Sequence, residues 1–414
     1  MNIAYYSHYF APEIGAPSAR IYDLSRQWLS FGHQVQVVTC FPNHPVGKMY
    51  PGYTSRSYMR ETLDGIDVHR HWTYVTPNEG FIKKTLGHVS YLPSALLLST
   101  RRLEKPDVVI GTSPTFFAAM AARNAGARYR IPFIMEVRDL WPAVMVELGV
   151  LRNPYLIRAL ERLELSLYER ATRVVTVTES FRRNLIERRV PEMKVFTIPN
   201  GADVDFWQPI EPPLELRRRL GLEDRFVVLY IGAHGISHAL SRMLESAERL
   251  REQTQIRFLF VGEGAEKERL VRQAREAGLK NVQFLDPVPK ESVREFYALA
   301  DVCLVPLRDI PLFDTFIPSK MFEIMAMAKP IVASLRGEAA DILRRSGGAK
   351  VVEPEDSRAV AEAIVHLSQR PCEAREMGLA GRRFVVENYS RRSLAARYMA
   401  LMEEAVREYR GRRV

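Results

Sequence analysis

Two residues of complementary chemistry, Lys320 and Glu323, stand three positions apart in the segment IPSKMFEIMAMAKP. Pro318 halts the preceding chain and Ser319 is a favourable helix N-cap, so Lys320 is expected in a first turn. A cation there opposes the helix dipole unless an anion binds beside it. The i, i+3 spacing puts both side chains on one helix face. The lysine could take a diphosphate and the carboxylate the hydroxyls of a ribose, a grip on a nucleoside diphosphate. A surface ion pair on a Met-rich core helix would show the same spacing, and the spacing alone does not separate the two.

Glycine-bearing loops after strand-like runs are the second place where such a ligand could sit. Gly15 follows the run Asn2–Ser7 in HYFAPEIGAPSAR, where Ser18 can cap the next helix. Gly15 would let a backbone approach a phosphate closely, although a plain turn reads the same way. Gly232 and Gly235 follow Phe226–Ile231, resembling a phosphate cradle, and Gly262 and Gly264 follow Ile256–Val261, where a tight turn is the simpler reading. At the end of the run Phe133–Val137 stand Arg138 and Asp139. Arg138 cannot act as a base but can neutralise a phosphate, while Asp139 could orient an acceptor hydroxyl. A structural ion pair between the two is the alternative.

These loops need a frame that delivers them to one end. The first 200 residues alternate β-branched runs (Asn2–Ser7, Val35–Cys40, Ile66–Trp72, Val108–Ile110, Phe133–Val137, Val174–Val177, Val195–Ile198) with helical patterns at Ser18–Ser30, Thr115–Ala127, Tyr155–Arg170 and Ser180–Arg189. A Pro- and Gly-rich stretch, Ile198–Pro213, reads as a linker, and a second alternating series follows from Phe226 to Val352. Helical patterning at Arg375–Asn388 and Arg392–Arg410 closes the chain. Such alternation implies an α/β protein of two Rossmann-like doubly wound domains, residues 1–200 and 201–390, with a C-terminal helix at about 392–412 returning to the first. Two such domains facing each other would bind ligands at the carboxyl ends of their strands.

Composition narrows the classes. The 414 residues are 47% hydrophobic and 26% charged, with a formal charge of +10. No apolar run reaches the ~18 residues of a membrane span, and MNIAYYSHYF enters a strand without a signal-peptide pattern, so a cytoplasmic protein is expected. Cys40, Cys303 and Cys372 are scattered and favour neither disulfides nor a thiolate metal site. His69 and His71 share a strand face with no acidic partner read nearby, and exposed strand positions are the simpler account than a metal site. The basic balance suggests a polyanionic partner, yet no basic, aromatic-interleaved motif points to nucleic acid, and Arg158–Glu169 reads as a solvated face.

The motifs taken in order resemble glycosyltransferase family 4, whose members have the GT-B fold of two facing Rossmann-like domains. The resemblance spans nearly the whole chain through APEIGAPSARIYDLSRQWLSFGHQVQVVT, PDVVIGTSP, EVRDLWP, IPNGADVDFW, FLFVGEG, ADVCLVPL and PSKMFEIMAMAKPIVASLRGEAADIL. EVRDLWP and GTSPTFF look most like WbuB-type O-antigen transferases. The resemblance implies a metal-independent, retaining transfer from a nucleotide sugar, usually a UDP-sugar. It implies no cofactor and a glycan or polyprenyl-diphosphate-linked acceptor in cell-surface polysaccharide or lipopolysaccharide assembly. For the subgroup, an N-acetylated amino or deoxyamino sugar is the expected cargo. Glu323 matches the family's ribose-binding glutamate; the partner glutamate eight positions earlier is here Thr315, beside Asp314. The family's Arg and Lys phosphate clamp is here Ala233 and His238, which leaves Lys320 as the remaining cation, helped by Gly15 and the Ser319 helix start. Gly232, Gly262 and Val288 complete the donor-binding set, and Arg138, Asp139 and Lys320 are the expected catalytic residues. Arg138–Asp139 stands where other branches place a His–Asp pair.

On the acceptor side, HVSYLPSALLLSTRRL (His88–Leu103) after Lys83 and Lys84 could rest on an anionic membrane surface, or be a buried helix with a basic end. A nucleotide-sugar epimerase of the same fold, a nucleic-acid binder and a non-catalytic sugar-nucleotide binder are the rival classes.

Overall fold

The computed structural model describes residues 1–13, 15–44, 47–76, 81–114, 116–147 and 149–411, without the side chains of 16, 81–85 and 97–100. Ile14 and Thr115 of the motifs, Arg412 of the last helix and the side chains of Lys83 and Lys84 therefore lie outside the described residues. Two compact units divide the chain: Met1–Asn200 with Arg391–Val414, and Gly201–Ser390.

The first unit carries β1 (Asn2–Tyr6), β2 (Gln34–Cys40), β3 (Tyr58–Leu63), β4 (Ile66–His71), β5 (Val108–Thr112), β6 (Phe133–Val137), β7 (Arg173–Thr176) and β8 (Val195–Thr197) in the order β3-β4-β2-β1-β5-β6-β7-β8. All neighbours pair in parallel except β3 with β4. Strands β5 and β6 are buried at every position, as helices on both faces require. The order reverses between β1 and β5, so the loops after these strands flank a topological switch point, where ligands of such sheets bind. The C-terminal helix Arg391–Gly411 packs on the helix Ala16–Ser30. The Trp28 indole N–H donates to Ala395 O at 3.1 Å, and its ring meets Tyr398 edge-on.

The second unit holds β9 (Phe226–Ile231), β10 (Ile256–Val261), β11 (Val282–Leu285), β12 (Val302–Pro306), β13 (Ile331–Ser334) and β14 (Ala349–Val352), all parallel, in the order β11-β10-β9-β12-β13-β14. Alternate residues of β9 enter two separate apolar clusters: Val227, Leu229 and Ile231 on one face, Val228 and Tyr230 on the other. Both faces are covered, which is why the strand reads as a continuous apolar run. The switch point here falls between β9 and β12.

Several expectations change. His69 and His71 are fully buried, not exposed, and Asp67, two residues before His69, accepts from its ring at 3.1 Å. Burial lowers His71 to about 3. The strand β3 was not expected; it supplies Tyr58, whose hydroxyl bonds the His69 ring, and so closes over the histidine face. The Ile198–Pro213 stretch is no free linker, because Ala202 and Trp207 are buried in the second unit's core. The helix Gly337–Ser346 also lies beyond the expected set. Ser18 does not cap its helix: Gly15 occupies the N-cap position and Pro17 the first turn.

Candidate functional site

In the second unit, the helix carrying Lys320 packs its Met321, Phe322, Ile324 and Met325 on one face of the sheet, while Tyr230 belongs to the other. The Lys320 side chain crosses the carboxyl end of the sheet and sets its ammonium 4.0 Å from the centre of the Tyr230 ring. The crossing is possible because Gly232 has no side chain: a Cβ there would stand 2.6 Å from Lys320 Nζ. Gly262 is required for a different reason. With φ at 143°, its Cβ would fall 2.0 Å from Gly232 O, so the loops after β9 and β10 touch backbone to backbone.

The ammonium of Lys320 is buried and has no hydrogen-bond partner among the described residues. Burial lowers its pKa to about 8, while Glu323 pulls the other way. Taking a lone cation out of water costs several kcal/mol, and a desolvated cation–π contact returns about 2 kcal/mol. The arrangement is left short of negative charge, and an anion beside Lys320 would supply it.

Glu323 accepts a long hydrogen bond, 3.4 Å, from Tyr297, a buried ring edge-on to Trp207. Ser319 has helical backbone angles and makes no side-chain cap, so the expected N-cap role is not met. The helix, Lys320–Ala326, begins at the lysine itself, with Pro318 O and Ser319 O accepting from Met321 and Phe322. His238 is not a substitute cation: burial and then Lys320 lower it to about 3, with a hydrogen bond to the Pro306 carbonyl opposing, so it is neutral. Ala233 is exposed, and its carbonyl accepts from the Tyr230 hydroxyl. The Thr315 hydroxyl donates to Leu312 O at 2.6 Å within its own turn. Asp314 faces Arg336 at 3.8 Å, and burial raises its carboxyl. Val288 packs half-buried against the unit's core.

Tyr230 and His234 belong with this cluster and were not singled out from the sequence. His234 is fully buried with neither ring nitrogen bonded among the described residues, and burial, then Lys267, lowers it to about 4. The sequence signal for Tyr230 was one polar-tipped residue at the end of an apolar strand.

In the first unit, the Arg138 backbone N–H donates to Ser113 Oγ at 2.8 Å, which ties the loops after β5 and β6 at the switch point. Its guanidinium donates through Nη1 to Pro17 O at 3.0 Å, in the first turn after Gly15. Arg138 therefore reaches the β1 loop instead of forming the ion pair with Asp139 that was the alternative reading. Nε of Arg138 is buried without a partner among the described residues. Burial raises Asp139 to about 6, with Arg138 opposing. Beneath them, buried Glu136 accepts from Arg20 and Tyr5, and Arg20 also donates to Ile198 O and Pro199 O. This network joins β1, the first helix, β6 and the end of β8.

Among the described residues, no group of three or more His, Cys, Asp or Glu is placed to hold a metal ion. Nor is any described helix long and apolar enough to cross a membrane.

The class defined by these features is an α/β protein of two doubly wound units with a buried, unbonded lysine ammonium at the switch point of the second. Residues 15–201 match the Glycosyl transferase 4-like domain and residues 225–370 match Glycosyl transferases group 1, so the chain belongs to the glycosyltransferases of this two-domain type and is an enzyme. The putative colanic acid biosynthesis glycosyl transferase WcaI of Escherichia coli K12 is 28% identical over 381 residues, covering 88% of this chain and 91% of the relative. The probable glycosyltransferase WbjE of Pseudomonas aeruginosa is 27% identical over 302 residues, 70% of this chain and 73% of its own. Among solved structures, sucrose-phosphate synthase of Thermosynechococcus elongatus superposes with a TM-score of 0.77 at 18% identity over 97% of this chain and 98% of that one. HepE of Anabaena, in complex with UDP and glucose, gives 0.73 at 15% identity over 97% and 99%. The fold is GT-B.

Proposed function

We propose that this glycosyltransferase moves a sugar from a UDP-sugar to a lipid-linked or glycan acceptor in surface-polysaccharide assembly, without a metal and with retention. The observation that carries the donor assignment is the buried, unbonded ammonium of Lys320 over Tyr230, beside Gly232. Breaking the sugar–phosphate bond leaves negative charge on the departing diphosphate, and a preorganised cation in a dry site stabilises it strongly. Glu323, on the same short helix, is assigned to the ribose hydroxyls. HepE was crystallised with UDP and glucose, WcaI is by name a putative colanic acid biosynthesis glycosyl transferase and WbjE a probable glycosyltransferase, which supports this choice of donor and pathway class. An N-acetylated amino or deoxyamino sugar is the cargo the sequence motifs favour.

The acceptor is assigned to the first unit, with Asp139 orienting its hydroxyl and Arg138 neutralising a phosphate. The acceptor oxygen bonds to the anomeric carbon on the face the diphosphate leaves, and the hydroxyl proton passes to the diphosphate. Peripheral contact with an anionic membrane is part of this reading. In the helix Phe81–Arg102, Leu86 and Val89 are exposed while Tyr91 and Ala95 are buried, so one face is open to such a surface. Arg102 lies over the Tyr58 ring at 4.2 Å, which draws that charge onto the protein.

A thermal-shift screen of UDP-, GDP- and ADP-sugars tests the donor. A true donor raises the melting temperature by mass action, and Glu323→Ala is expected to abolish or sharply reduce that shift. A shift of unchanged size in Glu323→Ala would overturn the ribose assignment.

A further inference from the structure

A second cluster lies at the carboxyl ends of β1 and β2 in the first unit. His8 and Tyr9 follow β1, His44 follows β2, and His88 projects from the helix Phe81–Arg102. Tyr9 and His88 share a hydrogen bond at 3.0 Å between the hydroxyl and Nε2. The His8 ring meets that of His88 edge-on at 4.6 Å, and the Tyr9 ring lies 4.9 Å from that of His44. His8 is buried, whereas Tyr9, His44 and His88 are each half-buried, so the cluster has a floor and an accessible rim.

The floor is built rigidly. The His8 carbonyl accepts from Thr39 and Cys40 of β2. Tyr91, stacked edge-on against His8, donates its hydroxyl to Val38 O at 3.0 Å. The Glu13 carboxylate accepts backbone N–H groups of Phe10, Asn43 and His44 at 3.2, 2.7 and 2.9 Å, locking the β1 loop to the His44 loop. The hydrogen bonds of Arg138 and of the Glu136–Arg20 network involve none of these side chains.

We propose that Tyr9, His44 and His88 form a subsite for a neutral sugar ring of the acceptor. The inference rests on the reading that the first unit takes the acceptor, and it adds the residues and the ligand chemistry. Aromatic rim rings offer flat faces to the C–H side of a sugar, and imidazole and phenol groups both donate and accept hydrogen bonds, as hydroxyls need. Glu13 decides against a phosphate. Its carboxylate, raised to about 7 by burial against three N–H bonds, lies close enough to act on Tyr9 and Cys40. Arg70, a buried cation that acts on Glu13, is held by Glu61 and by the carbonyls of Cys40 and Ala11. A partly anionic floor repels a phosphate and tolerates hydroxyls.

The test reads the histidine Cε1–Hε1 NMR signals of the full-length protein without UDP, assigned with His44→Gln and His88→Gln. The probes are methyl glycosides of glucose, galactose, mannose, N-acetylglucosamine and fucose, and inorganic pyrophosphate. At least one glycoside is expected to move the His44 and His88 signals, and pyrophosphate to leave them in place. Tyr9→Phe, which removes only a hydroxyl and is checked for folding by thermal unfolding, should weaken the glycoside by roughly five-fold. No movement with any glycoside, or movement with pyrophosphate instead, overturns the proposal. A glycoside that raises the melting temperature while the His44 and His88 signals stay still sinks the subsite alone, and no glycoside binding by either readout in samples that still bind UDP sinks the acceptor reading with it.

Discussion

Lys320 is a residue whose charge is costly where it sits, and its protonation should report on the ligand. Its folded value lies at about 8, below the ordinary 10.5, so between these values the unfolded chain binds more protons than the folded one. Stability of the unliganded protein therefore gains from this group as pH rises through that window. A bound diphosphate pulls the proton back. At pH 8.5, UDP binding is expected to take up a fraction of a proton, visible as buffer-dependent calorimetric heats and absent in Lys320→Met. Asp139 has the opposite sign: raised from 3.8 to about 6, it makes the folded state hold more protons between about pH 4 and 6. Its charged form is penalised above that range. Asp139→Asn is expected to stabilise the protein at pH 7.5 by on the order of 1–3 kcal/mol while lowering transfer to the acceptor, measured by denaturant unfolding and by turnover. A loss of stability would show that the carboxylate is held by partners.

At the scale of elements, the donor site depends on two loops in backbone contact. Gly262→Ala would drive a Cβ into Gly232 O, 2.0 Å away. It should cost more than the about 1 kcal/mol of an ordinary glycine replacement and weaken UDP binding with it, whereas Gly221→Ala, with nothing within 4 Å, should affect stability through its positive φ alone. Central strands were legible in the sequence because burial on both faces makes them unbroken apolar runs, as in β9 and β10. The edge strand β3, YMRETL, was not: one side meets water, so its alternation is polar and weak. The Lys320–Glu323 spacing was legible as a shared helix face. That the lysine would cross the sheet end over Gly232 to the Tyr230 ring was not, because that contact joins three separate segments. The charge state of His238 was not legible for the same reason, since only its packing shows that it stays neutral. Tyr9, His44 and His88 are scattered over 80 residues and converge only through the order of β1 and β2 in the sheet.

At the scale of the molecule, the last helix belongs to the first unit although the chain has passed through the second to reach it. It covers Trp28 and supplies Leu394, Tyr398 and Met402 to the core of that unit. Ending the chain at Ser390 should expose this surface and destabilise the first unit selectively. Calorimetry is expected to show its transition moved down or lost, with the transition of the second unit and its UDP-induced shift retained. Lys320 is the proposed holder of the donor diphosphate, and the most direct measurement compares UDP with uridine by isothermal titration in wild type and Lys320→Met. Wild type should bind UDP far more tightly than uridine. In Lys320→Met that gap should shrink by roughly ten- to a hundred-fold, the value of one charge-assisted bond, while uridine affinity stays the same. A gap that survives the substitution intact would contradict the account.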